Sequence, residues 1–571
     1  MKTNKTLIAL TIGTLFISGC SNQESETTIA KQPENEKQAQ TTIENKEAAE
    51  VEKITVTGSR LADVQTNGGV VEYMKASQPQ VLMAAPAMRK RIAPPPPPEY
   101  FTQPQNQDNY LPSDSNGVLQ AATTPLSTFS VDVDTGSYAN VRSYLSMGQK
   151  PPKDAIREEA FINYFDYNYR VPEDKSQPFA TYTELAPAPW SDERHILRIG
   201  LQGYDLPVSE RKPSNLVFLV DVSGSMHDKN KLPLLVQSLT MMVKQLSASD
   251  TVSLVTYAGN TELVLSPTKG NEKQTIIDAL QKLQAGGGTH GESGIKMAYQ
   301  AARKAFIKGG VNRIILATDG DFNVGTTNID ALKEMIAEKR KQGISLTTLG
   351  FGRGNYNDAM MEQLANIGDG NHAYIDILHE AQKVLLRQMS GTLQSIANDV
   401  KIQLEFNPAE VKEYRLIGYQ NRLLKDEDFN NDNVDAGEIG AGHTVTALYE
   451  LTLAGNKGQV DALRYQQKQV VSSNDELLQV KIRYKLPGET ESKLISQVIN
   501  KQQVLNDFDS ASLDFKFATS VAAFAQKLKQ SQYLGIMNYH DIATIARANR
   551  GDDPFNYRGE FVNLVELASA L

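Results

Sequence analysis

Cysteine is nearly missing from these 571 residues: Cys20 is the only one, so no intramolecular disulfide can form and no cysteine-rich metal site can be built. Clustered basic charge is missing too. With 58 Lys and Arg against 67 Asp and Glu, the formal charge is -9, and the basic face that a nucleic-acid binder needs is not there. That acidity favours solubility instead. The 7 histidines are scattered without a His-Glu-x-x-His, which leaves zinc hydrolysis unsupported. No internal repeat is visible. At about 150 residues per domain, a chain of this length makes three or four units.

What is present begins with an address. Lys2 and Lys5 precede an apolar stretch over 7–17, followed by Ser18-Gly19-Cys20. The stretch is far short of the roughly 20 residues a spanning helix needs, so 1–19 reads as a signal peptide ending in a lipobox. Cys20 resembles the processed cysteine of bacterial lipoproteins, which carries several acyl chains where one would hold only marginally. In that family the residue after the cysteine steers sorting, and Ser21 in place of Asp tends to permit transfer to the outer membrane. The resemblance implies a lipid-anchored envelope protein, on the outer membrane facing the periplasm or at the cell surface.

Residues 20–121 are rich in Gln, Glu, Asn, Thr, Lys and Pro, with five consecutive prolines at 94–98, and read as a disordered tether. About 100 flexible residues give a root-mean-square span on the order of 50–60 Å. Within the tether, 54–60 (Ile-Thr-Val-Thr-Gly-Ser-Arg) resembles the stretch near the start of the plug in TonB-dependent receptors. Either it is a short β-prone piece of linker or it is a docking strand for an envelope partner.

Alternation over 128–133 and helical spacing over 155–165 place a small mixed segment, with strand-like pieces at 181–185 and 195–201, in 122–213. Over 214–394 the pattern changes. Continuous apolar runs at 216–220 and 314–317 suit parallel strands buried on both faces. Further strands read at 252–257, 263–265, 344–351 and 372–375, with helices near 274–283, 294–306, 329–342 and 359–366 between them. Leu232, Leu235, Leu239, Met242 and Leu246 form one helical stripe. Rotation of strand and helix predicts an α/β fold with a doubly wound, mainly parallel sheet. Strands resume over 395–500, so this unit is expected to be inserted in a discontinuous β-sandwich, and 501–571 reads as a small helical region.

Asp221-Val-Ser-Gly-Ser225 stands directly after the first buried run, at the carboxyl end of a parallel strand, where open α/β sheets bind ligands. The aspartate supplies charge, and Ser223 and Ser225 can point at one centre, with Gly224 relieving crowding. Thr289, closing Gly286-Gly-Gly-Thr289, lies 66 residues after Ser223 and 30 before Asp319, which ends Ala317-Thr-Asp319 at the second run. Hard oxygens in this pattern suit Mg2+ or Mn2+, with Ca2+ also admissible, rather than zinc.

These five residues, Asp221, Ser223, Ser225, Thr289 and Asp319, resemble position by position the metal-ion-dependent adhesion site of von Willebrand factor type A domains. The resemblance implies direct coordination by Ser223, Ser225 and, in the binding-competent state, Thr289, with Asp221 and Asp319 acting through waters or hydrogen bonds. It also implies a protein partner that offers a carboxylate to the ion, because hydroxyl ligands leave the ion much of its charge. Nothing in the motif looks like a general base, so no catalytic residue is assigned. His290 follows the threonine and reads as a loop residue facing solvent. Three flanking stretches, 125–138, 435–448 and Gly551-Asp-Asp-Pro554 with Arg558 and Phe561, resemble the narrower YfbK-like envelope lipoproteins.

Asp134-Thr-Gly-Ser137 has the form of an aspartic-protease tetrapeptide, but no second Asp-Thr-Gly or Asp-Ser-Gly exists to share a proton with it, and Asp134 reads as a helix cap. The acidic stretch 426–433 lacks EF-hand spacing and reads as an exposed polar loop. An envelope scaffold without metal-dependent binding remains the competing function. Partner identity and oligomeric state are not legible.

Overall fold

The computed structural model describes residues 107–571 apart from 290, 321–328, 389, 390, 392 and 462–474. The signal peptide, Cys20, residues 54–60 and His290 lie outside them. The described chain enters through β1 (Leu119–Gln120), β2 (Leu126–Ser130), α1 (Gly136–Ser146) and α2 (Glu158–Ile162), then runs a long hairpin, β3 (Phe179–Ala188) and β4 (Ser191–Gly203). The α/β unit follows as β5 (Ser214–Asp221), α3 (Leu232–Gln245), β6 (Thr251–Tyr257), β7 (Thr261–Lys269), α4 (Lys273–Gln281), α5 (Gly291–Lys304), β8 (Val311–Thr318), α6 (Ile329–Lys341), β9 (Ser345–Phe351), α7 (Asp358–Ile367), β10 (His372–Ile375) and α8 (Leu378–Gln382). Strands return as β11 (Ser395–Phe406), β12 (Val411–Ile417), β13 (Gly437–Gly440), β14 (Thr444–Leu453), β15 (Glu476–Lys485) and β16 (Lys493–Asn500). Three helices close the chain: α9 (Leu513–Leu528), α10 (Tyr539–Ala548) and α11 (Tyr557–Ala570).

The α/β sheet has the order β10-β9-β8-β5-β6-β7, parallel except for β7, which turns back antiparallel along the edge. Its centre is apolar without a break because helices cover both faces. Leu216, Phe218 and Val220 of β5 face α3, α4 and α8, while Val217 and Leu219 face α5, α6 and α7. The expected stripe on α3 is the buried one, with Leu232, Leu235, Leu239 and Met242 all in contact with the sheet cluster. Each such side chain contributes about 1.5–3 kcal/mol on burial.

The surrounding frame is a sandwich of two antiparallel sheets. One has the order β1-β12-β14-β4-β3; in the other, β2 and β13 lie end to end beside β11, followed by β15 and β16. β4 pairs with β14 from Gln202 opposite Thr444 to His195 opposite Leu451. Strands from either side of the α/β unit therefore lie in one sheet, and the unit is an insertion. Leu197, Ile199, Tyr449, Ile402, Leu404, Val480 and Ile482 fill the space between the sheets. The outer face of the first sheet, through Ile196, Ile417 and Leu448, carries the closing helices together with α1 and α2.

Three readings change. Order begins by residue 107, not after 121, because short polar side chains that look like linker bind backbone groups elsewhere. Asp108 accepts the N–H groups of Gly354 and Tyr356 at 2.8 Å each, Ser113 donates to Ile156 O at 3.0 Å, and Asn116 donates to Leu416 O and Gly418 O at 3.0 and 2.7 Å. Asp134 does not cap α1: the cap position is Thr135, which makes no side-chain cap bond, whereas Asp134 accepts His372 N–H at 2.9 Å and faces Arg422. The segment 426–433 is not simply an exposed loop. Phe429 is buried, Asp426 accepts the Thr128 hydroxyl at 2.8 Å, and the backbone oxygens of Asp428 and Asn431 hold Lys401.

Burial around α2 has a cost that depends on pH. Glu159 is 1 % exposed and accepts Tyr419 N–H at 2.9 Å. Burial, with Glu158 and Asp132 adding repulsion, pushes its carboxyl up from 4.5 to about 7. The folded state thus binds this proton more tightly than the unfolded chain does. The favourable contribution is full below about pH 4.5 and is lost as pH rises through about 7. Glu159→Gln should leave stability near wild type at pH 5 and raise it by about 1–3 kcal/mol at pH 8. Urea denaturation at the two pH values measures this, and an equal effect at both would refute it.

Candidate metal centre

Asp221 is the last residue of β5, and Asp319 directly follows β8, the strand beside it, where Val220 pairs with Ala317. From β5 the chain passes to β6 on one side and later returns to β8 on the other, so the strand order reverses here. The crevice at such a reversal is where α/β sheets bind ligands. Asp221 uses both carboxylate oxygens locally: Oδ1 accepts Ser223 N–H at 2.9 Å and Oδ2 accepts the Thr318 hydroxyl at 2.8 Å. The Thr318 oxygen in turn accepts Gly320 N–H at 3.1 Å. Asp221 thereby shapes the turn that carries the serines, whose Oγ atoms lie 3.0 Å apart, within hydrogen-bond distance.

The glycine-rich loop is tied to that turn by backbone alone. Gly286 N–H donates to Val222 O at 2.8 Å, and Gly224 N–H donates to Gly287 O at 3.0 Å. Gly287 has φ +86°, and a Cβ there would lie 3.1 Å from Gly259 N, so the loop can approach this closely only as glycine. Thr289, two residues on, is half-buried. Among the described contacts none joins its side chain to the other four residues.

Both carboxylates are buried, and the hydroxyls run from the buried Ser223 out to an exposed rim at Ser225. Asp221, Ser223 and Asp319 are buried, Thr289 is intermediate and Ser225 is exposed. Burial, with the neighbouring Asp319 charge adding, raises the Asp221 carboxyl to about 6 against the lowering effect of its bonds from Ser223 and Thr318.

Two participants escaped the sequence reading. Thr318 adjoins Asp319 but its hydroxyl serves Asp221, across the strand pair. Lys231, beside the start of α3, places Nζ 2.9 Å from Asp319 Oδ2, with side-chain exposures of 8 % and 1 %. No motif spacing marks it; only the fold brings it in. The second oxygen, Asp319 Oδ1, is buried and has no hydrogen-bond partner among the described residues.

That orphan oxygen and the paired serine hydroxyls fit a hard cation. Among the described residues no group of three His, Cys, Asp or Glu side chains is arranged to hold a metal. Any ion held here would therefore depend on hydroxyls, with Ser223, Ser225, Thr289 and Asp319 as its surroundings and Asp221 as their brace.

Residues 215–385 match the von Willebrand factor type A domain, the class that this sheet and its loops define, and residues 104–198 match the family described as von Willebrand factor. Residues 391–571 match the family described as "Uncharacterized protein YfbK, C-terminal". The chain is 46 % identical to YfbK of Escherichia coli K12 over 471 residues, 81 % of each protein. It belongs to the YfbK family. It is also 24 % identical to the human inter-alpha-trypsin inhibitor heavy chain H3 over 262 residues, covering 42 % of this chain and 29 % of that one. A solved von Willebrand factor type A protein from Catenulispora acidiphila overlaps 69 % of this chain and 91 % of its own at 14 % identity with a TM-score of 0.39, a likeness too loose to support any further reading. Membership of the type A class supports a role in protein interaction.

Proposed function

We propose that the chain is a lipid-anchored envelope protein whose type A domain binds a partner protein through a divalent ion, Mg2+ or Mn2+, held by Ser223, Ser225 and Thr289 above Asp221 and Asp319. The observation that carries this reading is the graded site: two buried carboxylates, one with an oxygen unpartnered among the described residues, beside hydroxyls of which Ser225 reaches solvent. The ion supplies positive charge at that rim, where an Asp or Glu of the partner can meet it. Asp221 holds the serine turn in shape, and Asp319 supplies charge from below. The anchor rests on Cys20 behind its lipobox.

Crosslinking in intact envelopes, with wild type, Asp221→Ala and chelator-treated cells, tests the site. Partners captured by wild type should be lost in the other two, and capture of the same partners in all three would favour a scaffold without metal-dependent binding. Cys20→Ser should move the protein from the detergent phase to the aqueous phase on partitioning.

A further inference from the structure

We propose that Lys231 is a built-in counter-cation of the metal centre, one that weakens the bare ion's hold and reserves full affinity for the state in which a partner carboxylate is present. The inference rests on the metal-site reading above and deepens it.

Lys231 does not reach Asp319 by accident of a flexible surface chain. Its stem lies along the backbone just past β9, where Gly352 has φ +69° and where a Cβ would come 2.3 Å from Lys231 Cε and 2.6 Å from Cγ. Only a glycine leaves that channel open. The ammonium ends 2.9 Å from Asp319 Oδ2, and both side chains are nearly sealed from water. On the other carboxylate the bonds come from an N–H and a hydroxyl, which carry no net charge.

The charge count follows. Among the described residues, two carboxylates and one ammonium leave the site at -1, so a divalent ion brings it to +1 where carboxylates alone would reach neutrality. One further anionic oxygen restores balance, and a partner's Asp or Glu at the rim supplies it. At separations of a few ångströms in a partly buried site, one unit of charge changes a divalent ion's affinity by at least about tenfold. Coupling of this kind is reciprocal: the ion favours the carboxylate as much as the carboxylate favours the ion.

Titration of the purified full chain with Mn2+, followed by the free-ion electron paramagnetic resonance signal, tests the proposal on wild type, Lys231→Met and Lys231→Gln. Both variants should bind Mn2+ about tenfold more tightly or better. Acetate should strengthen Mn2+ binding to wild type and do so far less in the variants. Without metal the variants should melt lower than wild type, and Mn2+ should raise their midpoints by more. Unchanged or weaker Mn2+ binding in both variants, with circular dichroism showing the fold intact, overturns the counter-cation role. Ser223→Ala with Ser225→Ala separates this from the parent reading. If that double variant binds Mn2+ as wild type does, or wild type binds none, the metal site itself fails and the proposal with it.

Discussion

Arg142→Met is expected to lower unfolding free energy by about 3–5 kcal/mol, the range for removing one member of a buried ion network and leaving the others uncompensated. Arg142 of α1 is 2 % exposed, and its guanidinium meets four partners. Nε donates to Asp376 Oδ2 at 2.9 Å, one terminal nitrogen to Glu380 Oε2 at 2.8 Å, and the other to Glu560 Oε2 at 3.2 Å and to the Tyr164 hydroxyl at 2.9 Å. Asp376 follows β10, Glu380 lies on α8 and Glu560 on α11. One side chain thus joins the α/β insertion to the frame and to the closing helices. Glu380 is held below its usual range despite its burial, chiefly by Arg142 and then Lys383. Once the guanidinium is gone, Asp376 and Glu380 remain buried, with Lys383 still acting on Glu380, and burial itself lowers that lysine to about 7. The carboxylates should then take up protons on folding, so the loss should be smaller at pH 5 than at pH 8. Arg142→Met with Glu380→Gln should recover part of it. A half-exposed pair, Lys175 with Glu210 at 2.8 Å, provides the contrast: Lys175→Met should cost under about 1 kcal/mol. Chemical denaturation of these three variants against wild type measures this, and a loss for Arg142→Met no larger than for Lys175→Met would refute the argument.

The contrast between those two arginine and lysine positions also explains what could be read from sequence. The strands of the insertion were legible because burial on both faces demands an unbroken apolar run, and 216–220 and 314–317 have one. The five candidate ligands were legible because three short motifs carry them, each at a strand end or in a glycine loop. Arg142 and Lys231 carry no such mark. A charged side chain on or just before a helix reads as solvent-facing until the fold brings Asp376, 234 residues away, or Asp319, 88 residues away, against it. The segment 107–118 misleads for the converse reason: its polar residues satisfy distant backbone groups, so low hydropathy there does not mean absence of order. β16 carries little signal of its own: it is an edge strand on which Leu494 and Val498 are exposed, and its alternation is faint. Asp134 shows that a local motif can be right in residue and wrong in role, since its partner is the backbone of His372 rather than the helix beside it.

Gly320→Ala is expected to cost about 2–5 kcal/mol and to weaken Mn2+ binding at least about tenfold, from one added methyl group. Gly320 follows Asp319 and has φ +91°, a conformation that an L side chain pays to adopt. A Cβ would stand 2.3 Å from Asn357 N and 2.7 Å from Tyr356 Cα, both backbone atoms, so rotation of a side chain cannot relieve the clash. Nor can the opposing loop retreat freely. Tyr356 N–H is bound to Asp108, Tyr356 O accepts Asn109 N–H at 2.8 Å, and the Tyr356 hydroxyl lies 2.9 Å from His372 Nε2. Strain must therefore go back into β8's end, where Gly320 N–H supports the Thr318 hydroxyl that holds Asp221 and where Asp319 meets Lys231. Gly320→Asn separates the two causes, because asparagine tolerates positive φ but carries the same Cβ. If the clash dominates, Asn and Ala should be nearly equal in thermal midpoint and in Mn2+ affinity. Recovery of both quantities by Asn would assign the effect to backbone conformation, and wild-type behaviour of the Ala variant would show that the loop carrying Tyr356 yields where these contacts hold it.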